Sequence, residues 1–340
     1  MTTRYAEAHV PSKLAGPGDS RPTALQIIAD NQLENALSDK VMLVTGTSAG
    51  IGVETVRALA ATGAKVYATA RNLNKARAAL GDDLLKSGGR VELLLLDTAD
   101  FASVRRCAAE FLARETKLNV LVNNAGVMAV PERQLTRDGH EVQFQTNHLG
   151  HFLLFRLLEP ALLAASSPAF QSRVVNVSSI GHRQSRIVFD DLTLSGPGVY
   201  TPYKAYGQSK TANVYMANEI ERRYNTRGIH SWSLHPGGII DTGLASHMDV
   251  SAIVALPEVQ RCLKSVAQGA ATGILAAVDK ELEGTGGKFL DDCAVSPPFP
   301  EGETDVLWAP GYAPWCYDVD DAKRLWEVSC QIVGVEDAQQ

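Results

Sequence analysis

Two tyrosine–lysine pairs share one spacing within "YTPYKAYGQSK" (200–210): Tyr200 with Lys204, and Tyr206 with Lys210. Residues four apart on a helix lie on one face, so either pair would set a phenol beside a cation. That is equipment for moving a proton. A phenol ionises only near pH 10 or so unaided, and a neighbouring ammonium favours its ionised form. A tyrosine so assisted can protonate the alkoxide that forms when a carbonyl carbon is reduced. Pro202 lies inside the first pair and biases the residue before it away from helix, and the preceding "SGPGV" is turn chemistry. The second pair opens "AYGQSKTANVYMANEIERR", which is free of proline and rich in helix formers. Tyr206 and Lys210 are therefore the candidate catalytic pair, with a helix expected over 205–227.

A second pattern precedes them. "TGTSAGIG" follows the apolar run "KVMLVTG" and places Gly46, Gly50 and Gly52, with Ser48 and Ile51, at a strand-to-helix turn. Glycines there let the backbone approach a pyrophosphate, and the helix N-terminus adds free N–H groups and positive potential. This predicts a dinucleotide site. An acid at the end of the second strand would bind the adenosine ribose and repel a 2′-phosphate. The segment "YATARNLNK" has no acid but offers Arg71, whose fork suits a phosphate, and Lys75 as a second cation. NADP(H) is the expected cofactor.

Such a site needs a parallel sheet behind it. Short runs rich in Val, Ile and Leu at 40–46, 65–70, 90–96, 119–124, 172–179 and 228–235 read as strands, with a seventh at 286–292. Helical stretches at 50–62, 73–80, 101–116, 139–165 and 205–227 separate them. Continuous apolar strands alternating with helices predict a doubly wound, seven-stranded parallel α/β sheet, a Rossmann fold in one domain. Its expected span is 39–292. Residues 1–38 read as an N-terminal extension outside the main core with a short helix. Residues 293–340 read as a tail packing on the domain, and 181–203 and 237–265 as substrate loops.

The bulk composition fits this picture. The chain has 340 residues, 45% hydrophobic and 21% charged, with a formal charge of −6. A net acidic surface argues against nucleic acid as the main partner. The stretch 151–165 is interrupted by Arg156, Glu159 and Pro160 and is too short to span a bilayer. The five cysteines show no metal-ligand spacing, and their odd number favours a reducing compartment. A cytoplasmic protein without a metal is expected. His148, His151 and His235 lack an acidic partner at ligand spacing and read as packing or loop residues. Trp308, Trp315 and Trp326 read as core or lid packing.

The glycine spacing, T-G-x-x-x-G-x-G from Thr45 to Gly52, resembles the short-chain dehydrogenase/reductase family. So do "NNAG" (123–126), "VVNVSS" (174–179), Y-x-x-x-K and "HPG" (235–237). The resemblance covers about residues 40–292 and implies an NADP(H)-dependent carbonyl reductase or alcohol dehydrogenase. It assigns Ser179, with Ser178 beside it, to hydrogen-bonding the substrate oxygen, and Lys210 to the nicotinamide ribose as well. "QTNHLGHF" resembles the asparagine motif, with Asn147 holding a relay water for Lys210. Asp97 matches the adenine-contacting aspartate, and Asn124 and Gly126 the cofactor-supporting loop. Pro236, Gly237, Ile239 and Thr242 fall where the cofactor's nicotinamide end is held.

Two departures stand out. Ser179 and Tyr206 are separated by more residues than in simple members, an arrangement similar to the retinol dehydrogenase-like and WW-domain-oxidoreductase-like branch. "HLGHF", "GGKFLDDC" and the tail share that likeness, and the N-terminus is similar to fungal members. In "PGGIIDTG", Thr242 stands one residue beyond its usual place, with Asp241 there instead. The branch implies an apolar ketone or aldehyde, such as a polyketide, terpenoid or retinoid-like carbonyl of secondary metabolism. The added loop could instead cover the helix faces that simpler relatives use to form dimers or tetramers. A dinucleotide sensor without turnover, or an epimerase or dehydratase on the same frame, are the competing readings.

Overall fold

Apolar, β-branched runs covered on both sides make the strands of this chain, seen in a computed structural model that describes residues 3–86, 90–240, 242–244, 250–302 and 309–337. They are β1 (Val41–Thr45), β2 (Lys65–Ala70), β3 (Val91–Leu95), β4 (Val120–Asn123), β5 (Ser172–Val177), β6 (Ile229–Leu234), β7 (Phe289–Asp291) and β8 (Ala294–Val295). The order across the sheet is β3-β2-β1-β4-β5-β6-β7-β8. The seven expected strands are all present and parallel, and β8 is added antiparallel to β7. The addition comes from Asp292 and Cys293, whose φ angles of 49° and 59° turn the chain back at once. Tight two-residue hairpins need this left-handed backbone.

Longer helices cover both faces: α1 (Ala24–Asp30), α2 (Ile51–Ala61), α3 (Leu73–Leu80), α4 (Phe101–Arg114), α5 (Gly150–Ala165), α6 (Pro202–Tyr224), α7 (Ala271–Val278) and α8 (Val319–Val333). Alternating residues of a strand point to opposite faces. Met42 and Val44 of β1 accordingly join a core with α1, α2 and α7, while Leu43 joins one with α4, α5, α6 and α8.

The N-terminal stretch, expected outside the main core, enters it. Ala24, Ile27 and Ile28 repeat at helical spacing and are buried, together with Tyr5, Leu33 and Leu37, in the cluster built on α2 and α7. Thr23 caps α1 by accepting from Gln26 N. In the tail, α8 lies on α5 and α6. Trp326 meets Phe152 edge-on at 4.9 Å between ring centroids and lies 6.3 Å from Tyr224. Trp315 Nε1 donates to Thr211 on α6. Trp308 lies outside the described residues.

α6 begins one turn earlier than expected. Pro202 takes the first helical position, where its missing N–H costs nothing, and Thr201 caps it by accepting from Lys204 N at 3.1 Å. Tyr200 stays outside the helix and donates to Val130 O at 2.6 Å. Its pairing with Lys204 therefore has no shared helix face, whereas Tyr206 and Lys210 have one.

Candidate active site

In open α/β sheets, ligands bind beyond the carboxyl ends of the strands where strand order reverses. Here that point lies between β1 and β4, and a cleft of about 520 Å³ opens there. It runs from Arg71 and Lys75, past the glycine loop, to Tyr206 and the stretch after His235.

Gly46, Ser48, Gly50, Ile51 and Gly52 all line it. The turn is too tight for side chains. A β-carbon on Gly52 would fall 2.2 Å from Gly46 O, and Gly50 has a φ of 63°. This bare backbone, with α2 starting at Ile51, is a cradle of the size and polarity a pyrophosphate takes. Asn124 holds it from behind, donating through Nδ2 to Thr45 O at 2.8 Å and Gly46 O at 3.2 Å. Thr45 Oγ1 accepts from Asn124 N and Ala125 N, each at 2.9 Å. It also meets His151 Nε2 at 2.8 Å, and His151 Nδ1 meets Asn147 O at 2.9 Å. A carbonyl can only accept, so Nδ1 carries the proton and Nε2 takes the threonine's. Burial keeps this imidazole neutral, with its pKa pushed down to about 4. His148 pairs with Ser329 of α8. Among the described residues, no group of three or more His, Cys, Asp or Glu could hold a metal ion.

Arg71 and Lys75 are exposed at the far end, and no carboxylate is among the described residues that line the cleft. Asp97 is not brought into it. Its Oδ1 accepts from Ala99 N at 3.0 Å, closing its own turn, while Leu96 and Thr98 face the cleft.

At the other end, α6 delivers Tyr206 and Lys210 and the end of β5 delivers Ser179, all lining the cleft. Tyr206 is only 4% exposed. Burial pushes its phenol up to about 12, and a hydrogen bond with Ser179 works against that rise. Lys210 Nζ lies 5.5 Å from the Tyr206 ring centroid and donates to Val177 O at 2.9 Å. Burial pushes its ammonium down to about 7. Ser179 Oγ accepts from Gly181 N at 3.0 Å. A β-carbon on Gly181 would sit 2.7 Å from Tyr206 Cε1 and 3.4 Å from Ser179 Oγ, so this turn is pressed directly onto the pair. Ser178 is the scaffolding member of the two serines: buried, it donates to Lys210 O at 2.8 Å.

Asn147 sits in a π-helical turn, Gln145–Leu149, before α5. Its side chain accepts from Val127 N and donates to Val127 O and Ser209 Oγ. These bonds tie the strand-end loop around Gly126 to α6. Pro236, Gly237, Ile239 and Thr242 line the cleft, and Thr242 stands against Gly50 of the glycine loop. Asp241 lies outside the described residues.

Sequence reasoning missed Thr69, Thr98, Met128 and Val177, which face the cleft from the ends of β2, β3, β4 and β5. The rule that ligands bind at strand carboxyl ends was the signal for them. Tyr203, in the first turn of α6, and Leu244 and Ile253 come from the two stretches read as substrate loops, 181–203 and 237–265. The tail contributes no described residue to the lining.

A parallel sheet with a glycine cradle at its switch point and a Tyr–Lys–Ser cluster beside it defines a dinucleotide-dependent oxidoreductase. Residues 40–250 match the family model described as short chain dehydrogenase, and the chain belongs to that family, the short-chain dehydrogenases/reductases. It is 50% identical to the short-chain dehydrogenase/reductase prx1 of Penicillium roqueforti, covering 98% of this chain and 96% of that one. It is 37% identical to mouse retinol dehydrogenase 12, covering 87% of each. Among solved structures, an uncharacterised protein from Mycobacterium paratuberculosis superposes with a TM-score of 0.64 at 32% identity, covering 87% of this chain and 94% of that one. The expected likeness to fungal and retinol dehydrogenase-like members is borne out.

Proposed function

We propose that the protein transfers a hydride between NADP(H) and an apolar small-molecule carbonyl or alcohol, with reduction the favoured direction. The observation that carries this reading is the meeting of Tyr206, Ser179 and Lys210 in the cleft that also holds the glycine cradle and Arg71. Bound there, NADP(H) supplies or takes up the hydride.

The chain's own residues do the rest. The glycine loop and the start of α2 receive the pyrophosphate. The Arg71 guanidinium and the Lys75 ammonium take the 2′-phosphate, and the absence of a carboxylate among the described lining residues favours that group. Tyr206 gives its phenolic proton to the carbonyl oxygen, a transfer such a positioned acid accelerates by about 10²–10⁴-fold. Ser179 donates a hydrogen bond to the same oxygen. The Lys210 ammonium lowers the cost of phenolate and reaches for the nicotinamide ribose. Asn147 holds the loop around Gly126 in register with α6. Thr242, beside Gly50, serves the phosphate end of the cleft rather than the nicotinamide amide. Met128, Ile180, Tyr203, Leu244 and Ile253 give the mouth an apolar wall, which supports an apolar substrate. Cys107, Cys293, Cys316 and Cys330 are free thiols, which supports a reducing, cytoplasmic setting. No helix among the described residues is long and apolar enough to cross a membrane.

The test is oxidation of NADPH and NADH over a panel of apolar ketones and aldehydes, with Tyr206→Phe and Tyr200→Phe beside wild type. NADPH consumption that Tyr206→Phe abolishes and Tyr200→Phe retains is the expected result. Tight NADPH binding with no carbonyl reduced would favour a sensor, and bound cofactor without net consumption a non-redox reaction.

A further inference from the structure

The turn Ile180–Gln184 leaves β5 directly after Ser179, and its middle residue, His182, is fully buried against the Phe289 ring, 4.8 Å between centroids. His182 Nδ1 lies 2.5 Å from Ser179 O. His182 Nε2 lies 3.0 Å from the main-chain nitrogen of Ala313, in the C-terminal tail. A backbone N–H can only donate. Nε2 is therefore the acceptor, and Nδ1 carries the proton that goes to the Ser179 carbonyl. Both ring nitrogens are used, and one tautomer satisfies both partners.

The tail is anchored at this point. Tyr215 on α6 donates to Trp315 O at 3.0 Å, and Asn218 donates to Cys316 O at 2.7 Å. Arg183, next to His182, donates to Ala309 O at 2.9 Å. On its other side the same turn presses Gly181 onto Tyr206 and supplies the N–H that Ser179 Oγ accepts. No described tail residue lines the cleft, yet the tail meets the turn that carries the serine.

We propose that His182 is a positioning residue for Ser179, and that the tail segment at Ala313 fixes this position by holding the imidazole in its Nδ1–H tautomer. The proposal rests on the reading of Ser179 as the residue that binds the substrate oxygen. Orientation losses of this kind, at residues that never touch substrate, cost about a hundredfold in rate for an ångström of displacement.

Three variants of the full chain separate the two bonds. In His182→Asn the amide nitrogen lies where Nδ1 was and can still donate to Ser179 O. In His182→Gln the amide oxygen reaches toward Ala313 but no donor faces Ser179. His182→Ala loses both. The readouts are kcat and KM for a reduced ketone, NADPH affinity by fluorescence titration, the thermal midpoint, and the ring ¹⁵N shifts of labelled wild type. The expected result is that Asn keeps most of the wild-type kcat. Gln and Ala should lose about tenfold to a hundredfold, with NADPH affinity unchanged and no parallel with the thermal midpoint. An Asn variant as slow as Gln, equal kcat in all three, or kcat that follows the midpoint would overturn it. If wild type reduces no carbonyl, the reductase reading fails by itself. The ring shifts then decide the proposal: protonated Nδ1 sustains it, and protonated Nε2 overturns it.

Discussion

Lys264 Nζ donates to Asp292 Oδ1 at 2.6 Å, a buried ammonium on the carboxylate that turns the β7–β8 hairpin. The lysine stem runs along Gly237, where a β-carbon would fall 2.6 Å from Lys264 Cδ, and Lys264 N donates to Gly238 O at 2.8 Å. His9 of the N-terminal segment approaches the same carboxylate oxygen at 3.7 Å. Burial is the largest influence on the lysine and works against its charge, but Asp292, Cys293 and Asp291 together outweigh it and raise the pKa. One ion pair thus ties the N-terminus, the last hairpin and one wall of the cleft together. The Asp292 side chain is 37% exposed, so water compensates part of its charge and removing the lysine costs about 1–3 kcal/mol, less than for a fully buried pair. Lys264→Met should lower stability to urea by that amount and weaken NADPH binding. Adding Asp292→Asn should recover part of the stability. A Met variant as stable as wild type would show that the pair contributes nothing net.

Arg71 predicts the cofactor preference. It follows β2 at the cleft's far end, where a guanidinium–phosphate contact of about 1.5–3 kcal/mol would be lost on truncation. Arg71→Ser should lower kcat/KM for NADPH about tenfold to a hundredfold and leave that for NADH nearly unchanged. Lys75→Ser should cost less, because a point charge on a flexible stem lacks the bidentate fork. Steady-state kinetics with both cofactors decide it. An equal loss for NADPH and NADH would move Arg71 from selecting the phosphate to supporting the fold.

The sheet was legible because its strands are buried on both faces and so are nearly unbroken apolar runs. The catalytic pair was legible because Tyr206 and Lys210 lie inside a helix free of proline. The start of that helix was not, since Pro202 reads alike as a breaker and as a first residue until Thr201 is seen to cap it. Asp97 reads two ways for a similar reason. A carboxylate at a strand end can reach a ligand or close its own turn, and here it bonds Ala99 N. The burial of Ile27 and Ile28 needed the surface of α2 and α7, and β8 needed the left-handed pair Asp292–Cys293. His182 stands three residues after Ser179 in plain view, but its second partner, Ala313, is 131 positions away. Long-range partners of this kind leave no periodicity to read.

Four buried histidines set the acid limit of stability. Burial pushes His148 and His235 down to about 3, and His151 and His182 to about 4, from an ordinary value of 6.5. Between those values the unfolded chain binds protons that the folded chain refuses, so stability is present above pH 6.5 and falls as pH drops toward 4. Asp291 opposes them, because burial pushes its carboxyl up to about 8 and the folded form keeps that proton. Four groups against one leave a net loss of a few kcal/mol per pH unit, at about 1.4 kcal/mol per group. The urea midpoint should therefore drop markedly from about pH 7 to about pH 5. An unchanged midpoint over that range would mean that the imidazoles gain protons without opening the core.

Lys210 should give the reaction its alkaline limb. Its ammonium has one backbone acceptor, Val177 O, and burial lowers its pKa to about 7, so the charge is present below that pH and lost above it. Tyr206, pushed up to about 12, stays protonated through the same range and cannot be the source of the limb. In reduction the phenol gives up its proton more easily beside a charged lysine. The value of kcat/KM for NADPH reports the free enzyme. It should be level from about pH 5.5 to 7 and fall about tenfold per unit above. Lys210→Met should remove the limb along with most of the activity, while the thermal midpoint shows that the fold survives. A profile level to about pH 9.5 would place the charge-bearing pKa of Lys210 above that range. The cation would then be held by something stronger than the desolvation that opposes it.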